Sequence, residues 1–336
     1  MLMVVFGAGA SYDSAPSLPT GVRPFEFRPP LADELFDDRP FFSDLAQKYG
    51  RMLSVVPLLR ERDGRSVEQT LERLKAQSVR FPNRINELLA VQFYLRDVLS
   101  RCGAEWKQQS KGVTNYRTLF GEIAKYQQRV LIVTFNYDLL LEDSLSAPPH
   151  LFKPERISDY VSSHPMFTII KIHGSVNWSR IVNPSFGPAS PAELIEQGRQ
   201  QRSSDLFTMD SSSKDSGQGF AYLPAIAIPL VTKDEFECPP DHLQKLEATL
   251  PKVKKVLFIG WQGKDDKFLD LLSRFTPSLR QCMFVSGSEA EAKKVAGTVI
   301  AKFGDRAKDI SSVPATGGFS DFIQKGLVDR FIESTS

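Results

Sequence analysis

The sequence predicts an α/β protein built on a doubly wound parallel sheet, with a helical insertion forming a second, smaller domain. Three observations carry this expectation. Short, unbroken apolar runs recur along the chain, the mark of strands buried on both faces. Amphipathic helical stretches fall between several of them, the alternation that parallel crossovers produce. More than 100 residues of helical character separate the first run from the second, too many for a single crossover helix.

Taken in order, the first run is Leu2 to Phe6, which passes directly into Gly7-Ala8-Gly9-Ala10-Ser11. Further runs at 129–135, 167–172, 225–230, 255–259 and 282–285 bring the expected parallel strands to six. Helices are expected over Asp138–Ser144, Pro239–Leu250, Lys264–Phe275 and Glu289–Lys302. Within the insertion, Ser66 and Gln69 have the spacing of a capping box, and Val67, Leu71 and Leu74 follow at helical intervals. Ile85, Leu88, Leu89, Leu95, Val98 and Leu99 extend a broad apolar face. That face either packs within the insertion and onto the sheet or meets a partner or second subunit. The expected division is a Rossmann-like nucleotide-binding domain of residues 1–28 and 128–336, and a helical insertion domain of residues 29–127. The serine-rich stretch 202–218 reads as a loop between strands.

Composition narrows the function classes. At 336 residues, 41% of them hydrophobic and 24% charged, the chain can fill a real core and is not of disordered or collagenous type. Its 42 Lys and Arg nearly balance 40 Asp and Glu, so net charge does not call for a nucleic acid or an anionic membrane. Between Lys48 and Arg117 there are 14 Lys and Arg against 7 Asp and Glu. These are dispersed and lack interleaved aromatic residues, so a solvated helical exterior is expected rather than direct nucleic-acid binding. Cys102, Cys238 and Cys282 lie far apart, which gives neither a disulfide framework nor a four-thiolate zinc site, and no metal is expected. The opening run is too short for a signal peptide or a membrane span, and a cytoplasmic location is expected.

Candidate chemistry gathers at the ends of the predicted strands. Gly7 and Gly9 allow a tight turn in which backbone N–H groups of the Gly7–Ser11 segment approach a pyrophosphate, or they simply let the chain turn. A dehydrogenase is disfavoured, because the third fingerprint glycine is missing and a proline-rich segment stands where an acidic ribose ligand is needed. After RVLIV come Thr134-Phe135-Asn136-Tyr137-Asp138, where Asn136 and Asp138 either face a ligand crevice or cap the next helix. Lys171-Ile172-His173-Gly174-Ser175 places a histidine at a strand end, in position either for general-base work or for a structural role. His150, His164 and His242 read as surface residues. Gly260-Trp261-Gln262-Gly263-Lys264-Asp265-Asp266 looks like another phosphate or ribose turn with Asp265 or Asp266 as a helix cap, and Ser286-Gly287-Ser288 follows the last run.

In this order, GAGAS with Leu18-Pro19-Thr20-Gly21, then FNYD, KIHGS and GWQGKDDKF, the sequence resembles the sirtuin-like NAD hydrolases of bacterial antiphage defence. The resemblance spans about residues 2–290, with little from the insertion. It departs from sirtuin deacylases in lacking paired zinc cysteines, in reading SLPTG after the glycine turn, and in having Phe135 where a glutamine is expected. The resemblance implies NAD as substrate, cleaved to nicotinamide and ADP-ribose. It implies Asn136 on the reacting ribose or water, Asp138 on the nicotinamide carboxamide, and His173 as proton acceptor. Gly7, Ala8, Gly9, Ala10 and Ser11 would clamp the pyrophosphate, with Gly174, Gly260, Trp261, Ser286 and Gly287 also lining the dinucleotide. It further implies a homo-oligomer, and a separately encoded partner such as a DNA-translocating ATPase or an Argonaute-type protein. The alternatives are a non-catalytic NAD or ADP-ribose-binding regulator and an NAD-dependent protein deacylase.

Overall fold

The computed structural model describes residues 1–15, 24–162, 164–182, 190–197, 207–209, 221–230 and 236–334. Among them are nine strands: β1 (Leu2–Phe6), β2 (Val130–Thr134), β3 (Phe167–Lys171), β4 (Gly174–Val182), β5 (Phe207–Met209), β6 (Ala221–Ile226), β7 (Lys255–Ile259), β8 (Gln281–Val285) and β9 (Ser311–Ala315). Six of these form one parallel sheet in the order β3-β2-β1-β7-β8-β9. The chain winds outward from β1 in one direction, returns to pair β7 with β1, and winds outward again. In a sheet of this order, crossovers of the usual right hand put the two halves' helices on opposite faces. The protein is an α/β protein of doubly wound, Rossmann-like type.

Two expectations about the sheet are corrected. The run 225–230 supplies no parallel strand: Ala221–Ile226 is β6, antiparallel to β4 in a separate sheet ordered β5-β4-β6. The sixth parallel strand is instead β9, SSVPA, which sits at the sheet edge with three of its five residues exposed. An edge strand covered on one side needs no apolar run, and this one has none. Leu18 to Gly21 and most of 202–218 lie outside the described residues; within the latter, Phe207–Met209 is β5.

Two apolar cores hold the molecule. The first surrounds the parallel sheet and includes Trp106, Tyr116, Leu119, Phe120 and Ile123 from the end of the helical layer. The second joins Leu35 to Cys102 of that layer to Val176, Val182, Leu223 and Ile226 of the small sheet. Along the chain the two cores therefore interleave. Helix Val67–Gln77 begins at the expected box: Ser66 Oγ accepts from Gln69 N at 3.2 Å, and Gln69 Oε1 accepts from Ser66 N at 2.9 Å. The long helix Arg84–Gln109 crosses onto the small sheet, where Gln92 Nε2 donates to Ile226 O at 2.9 Å. No helix among the described residues is long and apolar enough to cross a membrane.

Candidate active site

Strand register brings the motifs together. Phe6 pairs with Thr134 and with Ile259, Thr134 with Lys171, Ile259 with Val285, and Val285 with Ala315. These residues form one row, so Gly7, Phe135, Ile172, Gly260 and Ser286 all emerge at the carboxyl edge, where open α/β sheets bind ligands. The switch point lies between β1 and β7.

At that point two turns lock backbone to backbone. A Cβ on Gly7 would meet Gly260 O and Trp261 Cα at 2.6 Å, and one on Gly9 would meet Gly260 Cα at 2.9 Å. Gly260 has φ +60°, and its own Cβ would meet Ala10 N at 2.2 Å. Gly7 N donates to Ile259 O at 3.0 Å, Gly9 N to Gly260 O at 3.0 Å and Ala10 N to Gly7 O at 2.9 Å. These three N–H groups serve the turn itself. Ala8 is exposed as the first residue of the five-residue helix Ala8–Tyr12, where its N–H has no acceptor within the helix.

Ser11 is buried and turned toward β2 rather than toward solvent. Its Oγ lies 3.0 Å from Tyr116 Oη, and Asn136 Nδ2 donates to both hydroxyls, at 2.9 and 3.2 Å. Asn136 is 7% exposed, yet its buried Oδ1 has no partner among the described residues. Leaving a buried acceptor unmet costs about 1–3 kcal/mol; such an orphan at the carboxyl edge of the sheet suits a ligand hydroxyl or a water. Tyr116, from helix Asn115–Ala124, is fully enclosed. Burial pushes its phenol well above the ordinary value, and the nearby charge of Asp138 adds to this, so the hydroxyl stays protonated.

Asp138 does serve the helix that follows: its Oδ1 accepts from Leu140 N at 3.0 Å. Beneath it, the fully buried Lys171 donates to Asp138 O at 2.6 Å and to Glu142 Oε1 at 2.8 Å, and Tyr160 Oη also donates to Glu142 at 3.1 Å. The peptide of Asp138 is thereby fixed.

His173 is 2% exposed, and its Nε2 lies 3.0 Å from Asp265 Oδ2. Asp265 also caps helix Asp266–Phe275, its Oδ1 accepting from Phe268 N at 2.9 Å. Phe135 packs edge-on to His173, with centroids 5.0 Å apart, and stacks on Trp261 at 5.1 Å. Trp261 is further enclosed by Phe258 and Phe268, so its ring belongs to an aromatic cluster under the edge. Gly174 has φ +82°, and a Cβ there would lie 1.9 Å from Ala225 O, which makes glycine obligatory where β4 leaves the site. Ser286 is half-buried and Gly287 exposed at the far end of the edge.

The structure thus brings Gly7, Gly9, Gly260 and Trp261 together at the switch point, and Ser11 with Asn136 beside it. His173 reaches the same edge from β3. Tyr116 and Asp265 are the site residues that sequence reasoning missed. Tyr116 sits in an ordinary amphipathic helix, whereas Asp265 was visible only as a cap. His242 and His150, expected at the surface, are 0% and 7% exposed. His242 Nε2 is satisfied by Ile157 O at 2.9 Å, which explains how a histidine opening a helix can face inward. Among the described residues no group of three or more His, Cys, Asp or Glu is arranged to hold a metal.

No family model matches the chain, and no curated protein matches it. Among solved structures it is similar to a Sir2 homologue in complex with NAD, with 12% identity over 99% of this chain and 89% of that one, at a TM-score of 0.42. It is also similar to a Sir2 homologue mutant in complex with 2′-O-acetyl ADP-ribose, with 12% identity, 99% and 92% coverage and a TM-score of 0.41. A third is a Sir2 bound to a propionylated peptide, with 11% identity, 99% and 94% coverage and a TM-score of 0.41.

Proposed function

We propose that this chain is an NAD+ glycohydrolase, which cleaves NAD to nicotinamide and ADP-ribose, and that it acts as the NAD-depleting effector of an antiphage defence system. One observation carries the reading: a buried amide with an unmet oxygen, Asn136, and a carboxylate-paired imidazole, His173, stand on one carboxyl sheet edge with the Gly7–Ser11 turn. The resemblance of GAGAS, FNYD, KIHGS and GWQGKDDKF to sirtuin-like NAD hydrolases supports the same chemistry.

Nicotinamide leaves as a neutral molecule from a cationic ring, so the C1′–N bond breaks with its electron pair passing to the ring nitrogen, and no strong acid is needed. Catalysis rests on holding the ribose while positive charge develops at C1′. Asn136 Oδ1 would accept from a ribose hydroxyl or from the incoming water. Water then adds to C1′ and its proton passes to His173. The second carboxylate oxygen of Asp138 would take the nicotinamide carboxamide. Ala8 and the Gly7–Ser11 turn would lie beside the pyrophosphate, with Gly174, Gly260, Trp261, Ser286 and Gly287 along the rest of the dinucleotide.

The test is incubation of the purified protein with NAD, alone and with a coexpressed partner, and chromatography of nicotinamide and ADP-ribose. Asn136→Ala and His173→Ala, each checked to be folded, are expected to abolish release. NAD binding without turnover in every condition would replace this reading with that of a regulator. Acetyl-ADP-ribose from an acetylated peptide would replace it with that of a deacylase.

A further inference from the structure

We infer that Asp265 is a positioning residue for His173, setting which imidazole nitrogen carries the hydrogen. The inference rests on the reading of His173 as proton acceptor. In the sheet order β3 and β7 are three strand spacings apart, about 14 Å at 4.7–4.9 Å each. The His173–Asp265 contact closes that span over the ends of β2 and β1, with Phe135 filling the space beneath. Both side chains are nearly sealed from water, at 3% and 1% exposure.

Cap duty alone does not account for this arrangement. Oδ1 serves the helix through Phe268 N, and Oδ2 is turned to the imidazole. A carboxylate only accepts, so Nε2 carries the hydrogen, and in the neutral imidazole Nδ1 carries the lone pair. When His173 takes a proton from substrate or water, the new cation lies against a charge already in place. Tyr137 stacks on the imidazole at 6.2 Å and donates its own hydroxyl to Ala227 O.

Asp265→Asn separates the two duties, because asparagine caps a helix as well as aspartate does. With its oxygen kept on Phe268 N, its NH2 faces Nε2 and favours the opposite tautomer. The full chain is labelled with 15N-histidine and the imidazole nitrogens are read by NMR without substrate, with His173→Gln supplying the assignment. Wild type is expected to show hydrogen on Nε2, and Asp265→Asn to move it to Nδ1. With NAD, kcat should fall by about 100-fold or more while KM changes by less than about threefold. An unchanged tautomer, or a changed tautomer with an unchanged kcat, overturns the inference. Should Asp265→Asn fail to fold, Asp265→Ser retains a cap and is expected to show a mixture of tautomers; a retained single Nε2–H form would overturn the inference equally. If wild type releases no nicotinamide under any condition, the glycohydrolase reading falls, and the tautomer measurement still decides the role of Asp265.

Discussion

Replacing Gly260 with alanine tests the claim that the switch point is held by backbone contact between two turns. The new Cβ would lie 2.2 Å from Ala10 N and 2.4 Å from Gly9 C, both backbone atoms that no rotamer change can move. Three costs follow. A non-glycine residue at φ +60° costs about 1–2 kcal/mol. Forcing packed backbone apart costs about 1–3 kcal/mol. Losing the hydrogen bond from Gly9 N to Gly260 O costs about 0.5–1.5 kcal/mol. The sum, about 2.5–6.5 kcal/mol, is a large part of an ordinary stability of about 5–15 kcal/mol. Urea denaturation of Gly260→Ala is compared with Gly304→Ala, where φ is +55° but nothing lies within 4 Å of the added Cβ. The control carries only the first cost, so the difference between the variants, about 1.5–4.5 kcal/mol, isolates the close approach. Equal losses in the two variants would refute the reasoning.

Other outcomes are expected from the same geometry. Tyr116→Phe removes the hydroxyl shared by Ser11 and Asn136; the expected cost is about 1–2 kcal/mol in urea, with nicotinamide release falling about tenfold because the Asn136 amide is then held by Ser11 Oγ alone. Burial lowers the pKa of the fully enclosed His242 from its ordinary 6.5. The unfolded chain therefore takes up a proton below that pH that the folded chain refuses. The stability from this group is full above pH 6.5 and is lost as pH falls, by at most about 1.4 kcal/mol per pH unit. Burial also lowers His150, with the same sign. Urea midpoints at about pH 7.5 and pH 5.5 should differ less in His242→Phe than in wild type.

Much of the parallel sheet was legible because its central strands are buried on both faces. Leu2–Phe6, Val130–Thr134 and Gln281–Val285 are buried at every position, and such strands must be written as apolar runs. The same rule hid β9, whose exposed face asks for no such run, and it misplaced 225–230, since an apolar run does not reveal which sheet it joins. The strand-end motifs were legible for a related reason. Glycine and capping residues mark where a strand stops, and equal register then brings every stop to one edge.

By itself, the sequence determined the α/β class, the strand ends that carry polar and glycine-rich chemistry, and the presence of a long helical insertion. These are local matters, fixed by burial periodicity and by the backbone freedom of a few residues. Only the tertiary structure decided which groups touch. Asn136 meets Ser11 and Tyr116 across 125 and 20 residues of chain, and His173 meets Asp265 across 92. No local pattern encodes such pairs, because they arise from the order of strands in the sheet and from a helix that packs against β1. The function of Gly260 is of the same kind. Its glycine was visible as a turn, but the demand for glycine comes from the backbone of Gly9 and Ala10, more than 200 residues earlier, pressed against it at the switch point.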